Sequence, residues 1–205
     1  MEEQLRIFDQ NKHPIGVASR RDVHHYGYWH EVFHCWMITL IEDEYYVYLQ
    51  LRSPFKKDYP GLYDITAAGH LLADESVEDG IREVEEELGI SVQYEDLTSL
   101  DTLSYQVEND TIIDKEFANV FLLNSRLQFD DFKLQVEEVT GMIRVKLNDF
   151  EQLWSHQADQ VKACGFKIGV DGRSQSFEER IGREDFVAHD GSFYREVVRR
   201  IKGSL

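Results

Sequence analysis

Three glutamates, Glu83, Glu86 and Glu87, stand within one short stretch of the chain. At 100° per residue they share one side of a helix covering roughly 77–88, and Ile81, Val84 and Leu88 share the other. Carboxylates three and four residues apart are neighbours on a helix and repel by roughly 0.2–0.5 kcal/mol per pair. They also lie toward the helix C-terminus, where the macrodipole disfavours negative charge. A hard cation relieves both conflicts, because Mg²⁺ or Mn²⁺ takes oxygen ligands and keeps water or substrate phosphate in its other positions. The plainer alternative is a solvated acidic helix face.

The residues around these acids favour the cation. The segment 69–90 reads GHLLADESVEDGIREVEEELGI. Gly69 opens a loop, Arg82 adjoins Glu83 and can pair with Glu75 or Glu78, and Gly89 can end the helix in a left-handed cap. This pattern resembles the signature of the Nudix hydrolases, Gly-x5-Glu-x7-Arg-Glu-U-x-Glu-Glu-x-Gly-U, with U an aliphatic residue. The matching positions are Gly69, Glu75, Arg82, Glu83, Val84, Glu86, Glu87, Gly89 and Ile90. One spacing departs: six residues, not seven, separate Glu75 from Arg82, so Asp74 and Glu75 compete for the arginine. Within that family, RRDVHHYGYWHEVFHCW, YPGLYDITAAGH and KEFANVF look most like the branch of isopentenyl-diphosphate isomerases and their hydrolase relatives.

The resemblance implies an α/β/α sandwich on a mixed β-sheet and a metal-dependent hydrolase that cleaves a diphosphate linkage with activated water. It implies Glu83 and Glu87 as direct ligands of Mg²⁺ or Mn²⁺, and Glu86 as a ligand directly or through water. Arg82, with Gly69, Glu75 and Gly89, takes a structural role. The general base then comes from outside the motif: Glu116 is the candidate, as base or metal ligand, with Glu137 and Glu138 behind it. The implied substrate is a small diphosphate such as a nucleoside diphosphate derivative or an isoprenoid diphosphate.

Two other activities compete. The isomerase branch places a catalytic cysteine before a Gly-His pair, and here Ala68 precedes Gly69 and His70. Alanine supplies neither acid nor thiolate. That branch also uses a histidine-rich metal site. His70, Asp114 and Glu116 match it, with His24 or His25 and His30 at an imperfect spacing. The third reading is a non-catalytic module that binds a nucleotide or diphosphate. His24, His25, His30 and His34 crowd into eleven residues, whereas His13, His156 and His189 read as ordinary polar or packing residues. Tyr26, Tyr28 and Trp29 could cap a base or an isoprenoid tail, or simply cover the sheet edge.

The elements that must position these groups are legible in outline. LRIFD and IGVAS flank a polar turn and read as an N-terminal hairpin; FHCWMITLI and YYVYLQLR flank EDE and read as a second. The stretch 53–64 holds two of the three prolines and reads as a loop. Two strands are expected over 97–107 and 112–123 around the turn ENDT, and a third over 138–145. LNDFEQLWSHQ reads as a helix capped by Asn148 or Asp149. The stretch 161–184 reads as a long loop or inserted excursion. Phe193, Val197 and Ile201 mark a C-terminal amphipathic helix. We expect an α+β architecture in a single domain over 1–205: a core at about 30–155, the hairpin at 1–29 and an extension at 156–205.

Composition bounds the partners. Among 205 residues, 22 Lys and Arg face 39 Asp and Glu, a formal charge of −17. That balance argues against a nucleic acid polymer as partner, since phosphate backbones demand basic surfaces. Hydrophobic residues at 42% suffice for a core. No run is apolar over a membrane-spanning length and no cleavable signal is seen, so a cytoplasmic protein is expected, with Cys35 and Cys164 as buried small side chains. Lys56, Lys57, Arg173 and Arg180 could meet phosphates from loops. A homodimer is an open assembly state, dimers being common among small enzymes.

Overall fold

The computed structural model describes residues 2–108, 113–189 and 191–205. The chain begins with the expected hairpin, β1 (Gln4–Phe8) and β2 (Pro14–Ser19). A helix the sequence reading passes over follows, α1 (Arg20–Tyr26). Ser19 Oγ accepts from Asp22 N–H at 3.2 Å, and Gly27 stops the helix in the left-handed conformation at φ 66°. Its lone buried apolar residue, Val23, gives little periodicity to read.

The second hairpin is β3 (Trp29–Ile41) with β4 (Glu44–Arg52). The loop after it closes with a two-residue strand, β5 (Tyr63–Asp64), and β6 (Ala67–His70) leads to the acidic segment. That segment starts as a 3-10 turn, Glu78–Ile81, and continues as α2 (Arg82–Leu88). A 3-10 turn rises about 2.0 Å per residue against 1.5 Å in an α-helix, so it spans more distance with fewer residues. The strands β7 (Thr98–Glu108), β8 (Ile113–Asn124) and β9 (Val139–Lys146) follow. The turn expected between β7 and β8 falls largely outside the described residues, as does Ile112.

α3 (Leu147–Trp154) starts one residue before Asn148 and lacks a side-chain cap, so neither Asn148 nor Asp149 caps it. Burial of Leu147, Phe150, Leu153 and Trp154 holds it instead. The expected excursion at 161–184 is a strand pair, β10 (Gln160–Ile168) and β11 (Ser174–Gly182). In β10, Val161 and Ala163 pack in the core under α3 and α4 while Phe166 packs in the opposite one, and nearly all of β11 is exposed, which left no alternation in that half. The chain ends in the expected helix, α4 (Gly191–Gly203).

The sheet runs β11-β10-β9-β4-β3-β1-β2, with β8 and β7 added beside β3. β8 lies parallel to β3 from Trp29 to Ile38, and the other named pairs are antiparallel. The other edge of β3 is shared in succession by β1, β6 and β4. Strand alternation splits β3 between two cores. Val32, Trp36 and Ile38 pack with Phe150, Trp154, Tyr194 and Val197 of α3 and α4. Phe33, Cys35 and Met37 pack with Val84 and Leu88 of α2 on the opposite face. Helices thus cover both faces of a mixed sheet, the expected α+β sandwich.

Candidate active site

β6 and α2 meet at Gly69. A Cβ placed there would stand 2.1 Å from the Glu83 carboxyl carbon, so the glycine makes room for that carboxylate. Arg82 ties the loop to the helix. Its Nε donates to Glu75 Oε1 at 2.6 Å and its Nη2 to Glu75 Oε2 at 3.0 Å, a bidentate pair. Nη2 also donates to the His70 carbonyl at 3.1 Å, and Nη1 to Glu83 Oε1 at 2.5 Å and Glu86 Oε2 at 3.3 Å. Glu75 therefore takes the arginine, while Asp74 is exposed. Gly89 closes α2 in the left-handed conformation, its N–H donating to the Glu85 carbonyl at 2.9 Å.

The three glutamates are not equally placed. Glu86 is exposed, Glu83 has a side chain 13% exposed, and Glu87 is buried. Glu87 Oε2 accepts from Gln50 Nε2 and Ala68 N–H, both at 3.2 Å. Burial, with the Glu83 carboxylate beside it, pushes the Glu87 carboxyl up to about 8. Burial also raises Glu83. The three acids that the helical wheel puts on one side are thus exposed to different degrees: Glu86 faces solvent, while Glu87 meets Ala68 of β6 and Gln50 of β4. Carboxylates desolvated side by side fit a hard divalent cation, which restores the charge balance that burial removed.

A second cluster forms where α1, β3, β6 and β8 converge. Ligand atoms of His24, His30 and His70 lie within 4.8 Å of one another, as do those of His30, Asp114 and Glu116. His24 Nδ1 lies 2.8 Å from the Arg20 carbonyl and His30 Nδ1 3.1 Å from the Tyr28 carbonyl. Those contacts place the Nδ1 protons and leave Nε2 of each ring as the electron-pair donor. His24 Nε2 and His30 Nε2 each lie 3.6 Å from Asp114 Oδ1. The buried atoms His30 Nε2, His70 Nε2 and Asp114 Oδ1 have no hydrogen-bond partner among the described residues. Burial depresses His30 to about 4 and His70 well below its ordinary value, so both rings are neutral at pH 7. Neutral imidazoles with orphaned nitrogens beside carboxylates suit a transition-metal ion. His25 lies apart, its ring against Tyr26.

Both clusters open on one cavity of about 580 Å³. Glu116 on β8 accepts from the Tyr105 hydroxyl, and burial with the nearby Asp114 carboxylate raises its carboxyl well above the ordinary range. Glu138 lines the cavity in an ion pair with Lys56, whereas Glu137 is exposed. Lys57 is exposed, and Arg173 and Arg180 sit on the β10–β11 hairpin with Asp171 and the Gln160 carbonyl as partners. Trp29 stacks on Phe117 and covers the sheet, and Tyr26 is exposed. Cys35 is free and buried, its thiol pushed up to about 12 by burial; Cys164 is free but only half-buried.

Sequence reading missed two parts of this cavity. Arg52 and Asp64 pair at 2.8 Å on its wall. His189, read as an ordinary polar residue, lies 3.1 Å from Asp64 and lines the same space. No local spacing could have joined residues so distant in the chain.

A family model described as the NUDIX domain matches residues 15–164. The chain is similar to an uncharacterized Nudix hydrolase of Clostridium acetobutylicum, 32% identical over 98% of this chain and 97% of that one. It is similar to an isopentenyl-diphosphate Delta-isomerase of Photorhabdus laumondii, 26% identical over 87% of this chain and 97% of the relative. A crystal structure from Deinococcus radiodurans shares the fold, with a TM-score of 0.55 over 75% of this chain and 90% of that one at 18% identity.

Proposed function

The chain belongs to the NUDIX family, and from that premise we propose that it is a Mg²⁺- or Mn²⁺-dependent hydrolase cleaving the diphosphate linkage of a small molecule. The observation that carries this reading is the burial of Glu87 beside Glu83, a conflict of charge that a cation on the cavity wall relieves. Glu83 and Glu87 are the proposed direct ligands, with Glu86 binding directly or through water. When bound, the cation neutralises the diphosphate and lowers the pKa of its water.

The chain's own residues do the rest. Arg82 holds the loop to α2 through Glu75 and fixes the direction of Glu83. Gln50 and the Ala68 N–H orient Glu87. Arg52 and Lys56, with Arg20 and Arg82, bring positive charge to a cavity rich in acids, where a phosphate needs it. His24, His30 and His70 with Asp114 and Glu116 are a proposed second cation site, and Glu116 serves there as a ligand. We take the chain as a single domain in the cytoplasm, acting on a nucleoside diphosphate derivative or an isoprenoid diphosphate, without a nucleic acid polymer as partner. No helix among the described residues is long and apolar enough to cross a membrane.

Isomerisation is the weaker reading, because Ala68 stands on the cavity wall where that chemistry needs a thiol. The test is a panel of nucleoside diphosphate derivatives, dinucleoside polyphosphates, coenzymes and isoprenoid diphosphates with Mg²⁺ or Mn²⁺. Release of a phosphate product that Glu83→Gln and Glu87→Gln abolish, with folding intact, is expected. Turnover unchanged in those variants would sink the metal assignment. Conversion of isopentenyl to dimethylallyl diphosphate without phosphate release would establish the isomerase instead.

A further inference from the structure

The cavity has a third wall that neither carboxylate helix nor histidine cluster supplies. It carries Asp64 from β5 and His189 from the segment between β11 and α4, with His189 Nε2 at 3.1 Å from Asp64 Oδ1. Asp64 is itself held in place. Its Oδ2 accepts from Arg52 Nη1 at 2.8 Å, and its Oδ1 from the Ile65 N–H at 2.8 Å. Burial opposes ionisation of Asp64, but the hydrogen bond to His189 and the Arg52 guanidinium outweigh it and keep the carboxyl below its ordinary range.

An ionised carboxylate only accepts, so the proton between the two residues belongs to His189 Nε2. With the shared proton on Nε2, Nδ1 is the nitrogen left to act as electron-pair donor, and among the described residues that buried atom has no hydrogen-bond partner. The ring is braced edge-on by Tyr105 and Tyr194, with centroids at 5.2 and 5.5 Å, and lies against Phe193 at 5.5 Å. A carboxylate that fixes one imidazole nitrogen while the other stays unpartnered is the arrangement of a general base and its orienting group.

The two cavity acids expected from the sequence as base, Glu116 and Glu138, are already engaged. Glu138 pairs with Lys56, and Glu116 is bonded to Tyr105 and grouped with His30 and Asp114. His189 also lies beyond residues 15–164, so what the family shares does not assign it a role.

We propose that His189, oriented by Asp64, is the general base that takes a proton from the attacking water. This rests on the hydrolase reading above. In the step, the water oxygen bonds to phosphorus as its O–H bond breaks and the proton passes to Nδ1. The bond from phosphorus to the leaving phosphate breaks with its electron pair on that phosphate. The imidazolium, stabilised by Asp64, returns its proton to solvent. The charged and titratable groups facing the ring are Asp64 from β5, Arg52 behind it on β4, His34 on β3 at 6.3 Å between centroids, Tyr105 on β7 and Tyr194 on α4.

The experiment uses the full chain and whichever substrate of the diphosphate panel it turns over fastest. His189→Gln keeps a donor for Asp64 but no base. At saturating Mg²⁺ it is expected to lower kcat about 10²-fold or more, to leave KM within a few-fold, and to change the acidic limb of the pH profile of kcat. Asp64→Asn should lower kcat in the same direction. A readout without turnover uses ¹⁵N-histidine protein with Mg²⁺ and methylenediphosphonate: His189 should show the Nε2–H tautomer, and its Nδ1 resonance should move on addition of the analogue. Turnover in the parent with kcat and pH profile unchanged in His189→Gln overturns this inference alone, as does an Nδ1–H tautomer or a resonance indifferent to the analogue. A parent that hydrolyses nothing in the panel overturns the hydrolase reading, and this inference with it.

Discussion

Gly69 and Glu83 occupy space that only a glycine can share: a Cβ on residue 69 would overlap the Glu83 carboxylate at 2.1 Å. The clash is with the far end of a flexible side chain, so it displaces the carboxylate and not the backbone. Gly69→Ala should fold with stability within about 1 kcal/mol of the parent. Moving the carboxylate by an ångström or so should lower hydrolysis about 10²-fold. Denaturant unfolding beside turnover decides this, and an active Gly69→Ala would show that Glu83 does not have to stand where it does.

The bidentate pair of Arg82 with Glu75 sets a second expectation. Glu75→Ala leaves the guanidinium with part of its donors unmet and should destabilise the chain by about 2 kcal/mol. Asp74 is exposed, and Asp74→Ala should change stability by no more than about 0.5 kcal/mol. Equal losses in the two variants would return Asp74 to the role.

Cation binding should depend on pH through Glu87. Its carboxyl, raised to about 8 by burial and by Glu83, is mostly protonated at pH 7. A proton must leave before the oxygen can bind a cation, so Mg²⁺ or Mn²⁺ affinity should rise from pH 6 toward 8 and binding should release protons. Calorimetry in buffers of different ionisation enthalpy measures that release. Glu87→Gln should reduce it, leaving what the raised carboxyls of Glu83 and Glu116 release.

The histidine cluster offers a count. Titrating metal-free protein with Mn²⁺, followed by its EPR signal, should show one site fewer in His70→Ala than in the parent. Retention of the same stoichiometry would remove His70 from the ligand set, despite its orphaned Nε2.

His34 should cost the protein stability as acid is added, starting above the ordinary carboxylate range. His34 is buried, and burial, helped by His189, depresses it to about 3. Below about 6.5 the unfolded chain takes up a proton that the folded chain refuses until about 3. The contribution of His34 is therefore full above 6.5 and declines as pH falls through that window, by at most about 1.4 kcal/mol per pH unit. Urea midpoints of the parent and of His34→Asn compared between pH 7 and 4.5 should isolate it: the parent should lose stability relative to the variant as pH falls.

What the sequence determined by itself was local. The stretch REVEEELGI declares its helix, its stop at Gly89 and its carboxylates, because helical neighbours lie three and four residues apart. The alternation of β3 likewise sends Trp36 and Phe33 to opposite cores. β10 and β11 were illegible because the exposed residues of β11 carry no inward row, and α1 because Val23 is its lone buried apolar residue. Tertiary structure alone decided that Glu75 and not Asp74 meets Arg82, that Glu87 turns inward, and that His189 meets Asp64 across the cavity. Those outcomes depend on how the sheet brings distant segments together and on what burial does to charge, and neither is written in the spacing of neighbours along one chain.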